Sequence, residues 1–440
     1  MFLDGAEPGI PYWWEDRRPQ SAAQSRLPAA VDLLVVGAGF TGLSAAIAAA
    51  DAGASVAVVD KGAPGIGAST RNGGMFGAHP RLPYGELVAR FGEEVARGAT
   101  QEASTAFDFT RELIAREEIH CDLQITGRIA LAWTRADHAR QAQLVEDVAR
   151  AGGGRMTLVP REELGAHIST DRYFGGIYYP DHAALHPRKF HEGLIAALAR
   201  RGVPVVGSCA MTGHQRTGRG FVVETQAGTV RAKGMIAATN GYTGAAFAKL
   251  ARRVFALPSY IIATEPLPPE LIADLAPGGR MMVETRARHS YFRPSPDGTR
   301  ILWGGRAAMR PIGLELAAAR LRETMAEIWP QLAQVRLSHV WTGNTGYSFS
   351  HTPQVGEMDG VHYAMGYSGS GVAMAPYLGA KAAYRALGDP RGETAFAGTT
   401  FVTHPMHWGR PWFRRPLDIW YRNVVDPSQN AAAAKDRASG

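Results

Sequence analysis

The chain has 440 residues and a mass of 47.2 kDa, more than one hydrophobic core usually organises, so two domains or one large α/β unit are expected. Glycine contributes 51 residues without a collagen period and 45% of the chain is hydrophobic, which excludes a disordered or fibrous protein. The formal charge is +7, and two cysteines are too few for a disulfide framework. This composition indicates a globular protein of the reducing cytoplasm.

The first 50 residues include one stretch that could be mistaken for a targeting or membrane-spanning segment, and we expect neither. Residues 1–30 are rich in aromatic residues and proline without a clear period, and we expect an extended segment on the surface. The uncharged stretch 33–50 has the length of a membrane span. A Gly-x-Gly-x-x-Gly motif lies inside it, however, and the acidic, aromatic start of the chain is unlike a secretory signal. The sequence therefore predicts no membrane span.

The first regular pattern is a strand, a helix and a second strand, typical of a dinucleotide-binding βαβ unit. Gly37 allows the tight turn, Gly39 lets the backbone approach a pyrophosphate, and Gly42 lets the helix and strand pack closely. The helix N-terminus favours phosphate, and a carboxylate at the end of the second strand can accept the ribose hydroxyls. The predicted dinucleotide-binding residues are Gly37, Ala38, Gly39, Phe40, Thr41, Gly42, Asp60 and Lys61.

Further elements follow along the chain. Apolar spacing predicts helices over 84–115, 135–151, 186–201, 314–328 and 372–386. Strands are predicted over 128–133 and 155–159, within the alternating region 203–235, and in a second sheet at 259–264, 291–293, 300–304 and 339–342. The basic aromatic stretch 410–422 is expected to pack against the body of the protein, and the tail after about residue 428 is expected to be mobile.

Two more glycine-rich turns favour FAD over NAD. The loop 65–74 follows the predicted ribose acid and is long enough to run along a pyrophosphate toward a second ring. The turn 366–371 leads directly into the last apolar helix, whose positive end would face the same ligand. Two such turns at opposite ends of the chain suit one long cofactor.

Several segments together resemble the superfamily of D-amino-acid oxidase, glycine oxidase and sarcosine oxidase. They are the Gly-x-Gly-x-x-Gly motif, the loop 67–74, the segments 170–173 and 186–187, the strand 341–344 and the turn 366–371. The branch they are most similar to is that of γ-glutamylputrescine oxidase, and the resemblance implies an extended FAD. By position it assigns to FAD also Ala68, Ser69, Arg71, Asn72, Gly73, Gly74, Ala210, Met211, Thr239, Asn240, Gly241, Gly343, Gly366, Tyr367, Gly369, Ser370, Gly371 and Val372.

The resemblance also implies a fold and its division. We expect an α/β protein in which a Rossmann-like, glutathione-reductase-like FAD-binding domain is interleaved with an antiparallel-sheet substrate domain. The FAD-binding domain is predicted to comprise 31–115, 165–257 and 339–395, and the substrate domain 116–164 and 258–338. Residues 1–30 are the N-terminal segment, and residues 396–440 are the C-terminal helix and tail.

Three positions depart from the pattern of that superfamily. Thr345 stands where glycine and D-amino-acid oxidases carry the arginine that pairs with the substrate α-carboxylate. No lysine near 302–306 matches the one that sarcosine oxidases carry for oxygen activation, and Arg306 is the nearest cation. Tyr347 occupies the place of the cysteine that attaches flavin in sarcosine oxidases, so non-covalent FAD is expected.

Seven side chains are candidates for the substrate site. Tyr291 and Arg293 share one face of a strand, where arginine can bind a carboxylate and tyrosine can donate a hydrogen bond; packing or surface ion pairing is the alternative. His351 has a titration range suited to an amine proton. The full set is Tyr291, Arg293, Arg306, Trp341, Asn344, Tyr347 and His351. No metal site is predicted, because the histidines at 404 and 407 lack supporting ligands.

The sequence predicts a cytoplasmic FAD-dependent amine oxidase. Its substrate is expected to be a small primary or secondary amine with a carboxylate, such as a γ-glutamyl amine or an N-carboxymethyl or N-methyl amino acid, with O2 reduced to H2O2. One alternative is a dehydrogenase of the same fold that passes electrons to a carrier or quinone. Another is a non-catalytic flavin-binding accessory protein. No nucleic-acid partner and no particular oligomeric state are predicted.

Overall fold

The computed structural model describes residues 1–20 and 26–438, in which two eight-stranded sheets and a short two-stranded ladder pack with helices. The helices are α1 Phe40–Asp51, α2 Tyr84–Phe91, α3 Glu93–Arg116, α4 Arg135–Arg150, α5 Pro187–Arg200, α6 Ala248–Ala251, α7 Pro269–Leu275, α8 Leu314–Ile328, α9 Gly371–Ala386, α10 Arg414–Trp420 and α11 Asp426–Ala438. The strands are β1 Ala30–Val36, β2 Val56–Val59, β3 Met75–Phe76, β4 Arg128–Leu131, β5 Thr157–Pro160, β6 Gly175–Tyr179, β7 Ala183–Ala184, β8 Val205–Val206, β9 Met211–Thr217, β10 Gly220–Thr225, β11 Gly228–Ala237, β12 Val254–Thr264, β13 Met281–Glu284, β14 Ser290–Pro294, β15 Ile301–Gly305, β16 Leu337–Ser348, β17 Gln354–Met358 and β18 Val361–Met365.

The first sheet has the strand order β17-β18-β11-β1-β2-β8, in which every neighbouring pair is parallel except β17 with β18. Strand β1 pairs in parallel with both β2 and β11, which confirms the predicted βαβ unit. Residues 33–36 and 56–59 are all buried, as continuous apolar runs in parallel strands require. Helix α1 packs tightly on α9, because a Cβ at Gly379 would lie 2.2 Å from the Thr41 carbonyl oxygen.

The second sheet has the order β16-β12-β15-β14-β13-β4-β6-β5 and is antiparallel except for the pairing of β13 with β4. Its two faces differ in what they contact. On one face Phe292 and Trp303 stack with ring centroids 3.9 Å apart and join the core that includes residues of α8. On the other face Tyr291 and Val283 line a large cavity. The sheet therefore separates a packed core from a ligand site.

The structure places two segments differently from the predicted domain division. That division assigns 165–257 and 339–395 to the FAD-binding domain. Strand β6 is hydrogen-bonded to β4 and β5, and β16 is hydrogen-bonded to β12, so both are strands of the second sheet. Alternating polarity predicts a strand but does not specify its partner. The remaining boundaries stay a prediction.

The N-terminal segment is more deeply packed than predicted. Trp13 and Trp14 are 1% and 4% exposed and join Ile261, Leu302 and Trp341 in one apolar cluster. The expectation of a segment on the surface is therefore wrong for the turn Tyr12–Trp14. Large indole side chains gain most from burial when their N–H groups also find acceptors, as both do here.

The C-terminal region also differs from the prediction. The tail expected to be mobile after residue 428 forms α11, in which Ala433 is fully buried, because alanine favours helix and the helix docks on the second core. The basic aromatic stretch packs only in part: Phe413 and Tyr421 contact an apolar cluster, whereas Trp412 is 52% exposed. Within the described ranges, no helix has both the length and the apolar character needed to cross a membrane.

Candidate active site

A cavity of about 920 Å³ is lined by residues of both sheets. Its walls come from the ends of β1, β2 and β11, from the loop 65–73, from the turn 367–372 and from one face of the second sheet. Every predicted FAD-binding residue lines this cavity except Gly42, Gly74, Gly241 and Gly366. The fold thus brings together segments from both ends of the chain.

The four glycines outside the lining lie where two backbone segments meet. A Cβ at Gly42 would be 1.8 Å from the Gly37 carbonyl oxygen, and one at Gly74 would be 2.1 Å from that of Leu185. A Cβ at Gly241 would be 3.0 Å from the Cα of Gly346. These glycines shape the cavity walls by allowing close backbone approach.

The predicted phosphate-binding end of the cavity is the turn between β1 and α1. Gly37 has a φ of +112°, which favours glycine. A Cβ at Gly39 would lie 2.8 Å from the Oγ of Ser69, the atom that accepts a hydrogen bond from the Phe40 amide at 3.0 Å. The N-cap residue Gly39 has no side chain, so apart from the Phe40 amide that Ser69 binds, the N-terminus of α1 carries no side-chain cap and favours an anion.

Asp60 is held at the carboxyl end of β2 by two backbone amides. Its Oδ2 accepts from the Ala38 amide at 2.8 Å and its Oδ1 from the Gly62 amide at 3.0 Å. Burial raises the pKa of Asp60, and both amides oppose that shift. Each oxygen keeps a lone pair for another donor, so the carboxylate fits ribose hydroxyls in the cavity.

His191 supports the same turn and was missed by sequence reasoning. Its Nε2 donates to the Ala38 carbonyl at 2.7 Å, and burial lowers the pKa of His191 to about 4. The ring is therefore neutral at pH 7 and holds the backbone behind the phosphate-binding turn. Helical spacing alone predicts burial of this position and gives no sign of that contact.

The loop 65–74 is fixed mainly by Arg71. This guanidinium donates to the carbonyl oxygens of Ile66 at 2.9 Å, Thr342 at 3.1 Å and Gly9 at 3.3 Å. It also stacks on the Trp14 ring at 4.3 Å. Arg71 lines the cavity, but its hydrogen bonds hold the loop between the N-terminal segment and β16.

A second helix N-terminus reaches the cavity at the turn before α9. Ser370 caps α9 without a side-chain hydrogen bond, and Gly369 has a φ of +107°. The Tyr367 hydroxyl lies 2.8 Å from the Thr41 Oγ1, and the Gly366 amide donates to the Asn240 Oδ1 at 2.9 Å. Two helix N-termini whose N-cap residues make no side-chain hydrogen bond meet one cavity, and this arrangement fits an anionic dinucleotide.

The predicted substrate-site residues divide into two groups. Tyr291, Arg306, Asn344 and Tyr347 line the cavity, and the Tyr291 hydroxyl is 2.9 Å from the Ser259 Oγ. The Arg306 guanidinium lies over the Tyr347 ring at 4.8 Å and donates to its hydroxyl. These four side chains are therefore placed to contact a ligand.

Arg293, Trp341 and His351 are not among the residues that line the cavity. Arg293 is 2% exposed and donates to the carbonyl oxygens of Gly74 at 3.2 Å and Leu185 at 3.3 Å. Trp341 donates to the Arg71 carbonyl at 2.9 Å, and the His351 ring packs 5.7 Å from the Tyr347 ring. These contacts give each of the three a supporting position outside the cavity wall, and a direct role in substrate binding stays a prediction.

Several lining residues were missed by sequence reasoning. Arg81, Arg128, His79 and His289 line the cavity beside Tyr291. Burial, Arg128 and Arg81 lower the pKa of His79 well below its usual value, and burial, Arg306 and Arg81 do the same for His289. None of these residues lies in a motif. Among the described residues, no three His, Cys, Asp or Glu are grouped to hold a metal ion.

The fold and cavity define a dinucleotide-binding protein of the Rossmann type with a second, ligand-facing sheet. Residues 32–385 match the family model described as FAD dependent oxidoreductase. A probable oxidoreductase OrdL of Rhizobium meliloti (strain 1021) is 32% identical over 86% of this chain and 88% of that protein. The gamma-glutamylputrescine oxidoreductase of Escherichia coli (strain K12) is 31% identical over 85% of this chain and 88% of that protein. The chain belongs to the family of FAD-dependent oxidoreductases.

The comparison with solved structures agrees at the level of the fold. Glycine oxidase from Geobacillus kaustophilus superposes with a TM-score of 0.71 at 20% identity, covering 86% of this chain and 99% of that one. The predicted superfamily, the α/β fold with a Rossmann-like domain and FAD as cofactor are thereby confirmed. The protein is an FAD-dependent oxidoreductase.

Proposed function

We propose that the protein oxidises the C–N bond of a small amine that carries a carboxylate. The observation that carries this proposal is the position of Arg306, whose guanidinium lies in the cofactor cavity beside Tyr347 and shares its wall with Tyr291 and Asn344. A guanidinium held by a neutral hydroxyl keeps donors free for a carboxylate. We therefore propose Arg306, and not Arg293, as the arginine that binds the substrate carboxylate.

FAD would lie along the cavity. Its adenosine diphosphate half would contact the turn 37–41 and Asp60, with Ala210 and Met211 beside the adenine. Its flavin half would lie between the loop 68–73, Gly343 and the turn 369–372. The helix N-termini of α1 and α9 support this placement, and Tyr347 in place of a cysteine supports non-covalent binding.

The surrounding residues would bind the substrate and favour its neutral form. Burial and the neighbouring Arg81 lower the pKa of Arg306 to about 10, so its guanidinium stays charged at neutral pH and can hold the carboxylate. The same positive charge lowers the pKa of a bound ammonium, because like charges disfavour the protonated form. Tyr291 and Asn344 offer hydrogen bonds that orient the amine. Bound FAD supplies the two-electron acceptor.

The overall reaction balances with oxygen as the final acceptor. The substrate loses a hydride from carbon and a proton from nitrogen, and a C=N bond forms. The two electrons and two protons convert O2 to H2O2. Water then hydrolyses the imine to a carbonyl compound and an amine.

Anaerobic mixing with amines tests the proposal. The purified yellow holoprotein is mixed with N-methyl amino acids, N-carboxymethyl amino acids and γ-glutamyl amines, and loss of flavin absorbance is recorded. We expect members of these classes to reduce the flavin. The matched quaternary betaines, which cannot form a neutral amine, should leave the spectrum unchanged. If every amine fails to reduce the flavin, the proposed function is wrong.

A dehydrogenase is the second candidate, because the cations around Tyr291 are arginines and Lys61 is the one lysine among the described lining residues. Stopped-flow mixing of the reduced protein with oxygen separates the two activities. Reoxidation within seconds supports the oxidase. Reoxidation that needs an added quinone supports the dehydrogenase.

We also propose a cytoplasmic location. Cys121 and Cys209 are both free and buried, which supports a reducing compartment. Fractionation of source cells followed by immunodetection tests this, and recovery from the extracytoplasmic fraction would contradict it.

A further inference from the structure

We propose that the substrate carries two anionic groups, one bound by Arg306 and the other by Arg81 together with Arg128. This inference rests on the proposed amine oxidation and narrows its substrate class to amines with two carboxylates. It is carried by three arginines that line one cavity with neutral partners only.

The three guanidiniums lack carboxylate partners among the described residues. Asp60 is the one acidic residue among those that line the cavity, and it belongs to the phosphate-binding end. Arg128 contacts the His79 ring at 2.7 Å and stacks over the Tyr179 ring at 4.8 Å. The partner of Arg306 is the Tyr347 hydroxyl. The titratable groups that act on Arg81, Arg128 and Arg306 are tyrosines, which are neutral at pH 7, and one another.

Such an arrangement calls for anionic ligands. Cations removed from bulk water are normally paired, because burial disfavours charge and like charges add to that cost. Arg81 lines the same cavity and acts electrostatically on both Arg128 and Arg306, so its charge adds to theirs. The Nε of Arg128 is also buried without a hydrogen-bond partner. Anions bound at both ends would offset this concentration of positive charge.

The geometry of the second sheet separates two anion positions. Tyr291, Val283 and Ala130 form a cross-strand row on β14, β13 and β4. Arg128 precedes Ala130 by two residues, whereas Arg306 follows Gly304, the partner of Tyr291 on β15, by two. Strands β4 and β15 run in the same direction, because β4 is parallel to β13 and both β13 and β15 are antiparallel to β14. A residue before the row on β4 and a residue after it on β15 therefore lie on opposite sides of the row.

The Cα atoms of Arg128 and Arg306 therefore lie at diagonally opposite corners of the sheet face that lines the cavity. The two Cα atoms are three strands apart across the sheet, at about 4.8 Å per strand, and about four residues apart along the strands, at about 3.3 Å per residue. The diagonal between them is roughly 20 Å. Long side chains shorten that gap, but a single carboxylate cannot pair fully with both arginines. Two anionic groups on one molecule can.

The same charges disfavour one of the candidate substrate classes. A γ-glutamylated diamine carries an α-ammonium group besides the reacting amine, and an ammonium removed from water is normally paired with a carboxylate. The described residues of this wall supply none. N-Carboxymethyl amino acids, with a carboxylate on each side of the nitrogen, fit better.

Matched substrate pairs test the inference. The dicarboxylic secondary amines have one, two or three methylene groups between the nitrogen and the second carboxylate, and each partner amine has a methyl group in place of that carboxylate. We expect at least one dicarboxylic amine to reduce the flavin anaerobically with a dissociation constant about tenfold or more below that of its partner. If both members of every pair act equally, the inference is wrong while the proposed function stands.

The variant Arg128→Met tests the second anion position. We expect it to raise the dissociation constant of the preferred dicarboxylic amine about tenfold and to change that of its monocarboxylic partner less than about twofold. Arg128→Lys should restore part of the difference. The matched control, Arg219→Met, removes an exposed arginine outside the cavity and should change neither value. Equal losses for both amines would show a merely structural role and overturn the inference.

Binding without turnover gives an independent readout. Thiodiacetate and methylthioacetate replace the amine with sulfur and differ by one carboxylate. We expect thiodiacetate to raise the thermal unfolding midpoint of the holoprotein more than methylthioacetate does, and Arg128→Met to remove the difference. Equal shifts in the wild-type protein would count against two anion positions, even if Arg128→Met fails to fold and no amine reduces the flavin.

Discussion

Arg71 shows how one side chain can hold a loop, here the loop 65–74 that we propose binds FAD. Its guanidinium binds three carbonyl oxygens from the loop, the N-terminal segment and β16. Its own carbonyl accepts from the Trp341 indole. The loop that the sequence assigned to FAD is therefore held from both sides by parts of the chain that are distant in sequence.

Arg71→Met should weaken both the fold and FAD binding. Three carbonyl oxygens lose a charged donor, so we expect the free energy of unfolding to fall by about 2 kcal/mol and the FAD dissociation constant to rise about tenfold. Denaturant titration and fluorescence titration of the apoprotein with FAD measure these changes. Arg219→Met is the matched control and should alter neither quantity. An unchanged FAD affinity would contradict the role given to Arg71.

At the scale of residues, the sequence predicts local geometry well and distant contacts poorly. The positions of Gly37 and Asp60 could be predicted, because the tight turn and the acid at the end of the second strand occur at a fixed spacing within one βαβ unit. Arg293 could be placed on the same strand face as Tyr291, but alternation does not say where the cavity ends. Arg81 and Arg128 have no local pattern, since only the pairing of β4 with β13 brings Arg128 to the cavity floor.

Among the elements, the N-terminal turn Tyr12–Trp14 supports the loop 65–74, which we propose lies beside the flavin. The Trp13 indole donates to the Asn72 carbonyl at 2.7 Å and the Trp14 indole donates to the Thr70 Oγ1 at 3.0 Å. The aromatic composition of residues 1–30 led us to expect a segment on the surface and not these buried indoles. It could not predict the partner, because burial of an indole is compatible with any apolar surface.

Trp14→Phe removes one donor and keeps most of the apolar surface. We expect the FAD dissociation constant to rise about fivefold, equivalent to about 1 kcal/mol, because the loop loses one hydrogen bond. Titration with FAD measures this. Trp420→Phe, at a half-exposed position far along the chain, provides the comparison and should have no effect. A loss of affinity in both variants would assign the effect to general destabilisation.

Glu117 joins the ends of three helices, α1, α3 and α5. Its buried carboxylate contacts Arg201, Arg200 and Arg116, and Arg201 also pairs with Asp51. Burial opposes the charged form of Glu117, but these arginines outweigh it and lower its pKa to about 2. The group therefore stabilises the fold above its ordinary pKa of 4.5 and loses that contribution as the pH falls toward 2.

Glu117→Gln should lower the free energy of unfolding by about 2 kcal/mol at pH 7. The difference from wild type should shrink as the pH is lowered below about 4.5, because the wild-type carboxyl then takes up its proton. Urea titrations across this range measure the difference, with the exposed neighbour Glu118→Gln as control. A difference that does not depend on pH would contradict the charge-based explanation.

Over the whole molecule, buried neutral histidines set the acid sensitivity of the fold. Burial is the largest cause that lowers the pKa of His186, His191 and His339 to about 4. The unfolded chain binds protons at about pH 6.5, so it takes up more protons than the folded chain between these values. Stability is therefore complete above pH 6.5 and is lost as the pH falls toward 4.

We expect the urea midpoint of unfolding to be clearly lower at pH 5 than at pH 7, with His191 alone contributing about 2 kcal/mol to the change. His191→Gln, which keeps an N–H donor for the Ala38 carbonyl, should reduce the pH dependence. His120→Gln, at an exposed position, is the matched control. A midpoint that does not change between these two pH values would contradict this account.

The cavity is completed by both ends of the chain, and this determines when the cofactor can be loaded. A growing chain exposes the turn 37–41 early, whereas the wall formed by 367–372 appears only after most residues have been joined. Synthesis runs from the N-terminus, so the cavity stays open on this side until α9 has been made. FAD loading thus belongs to the finished chain, and a fragment that ends before α9 keeps the glycine motif but lacks a complete site.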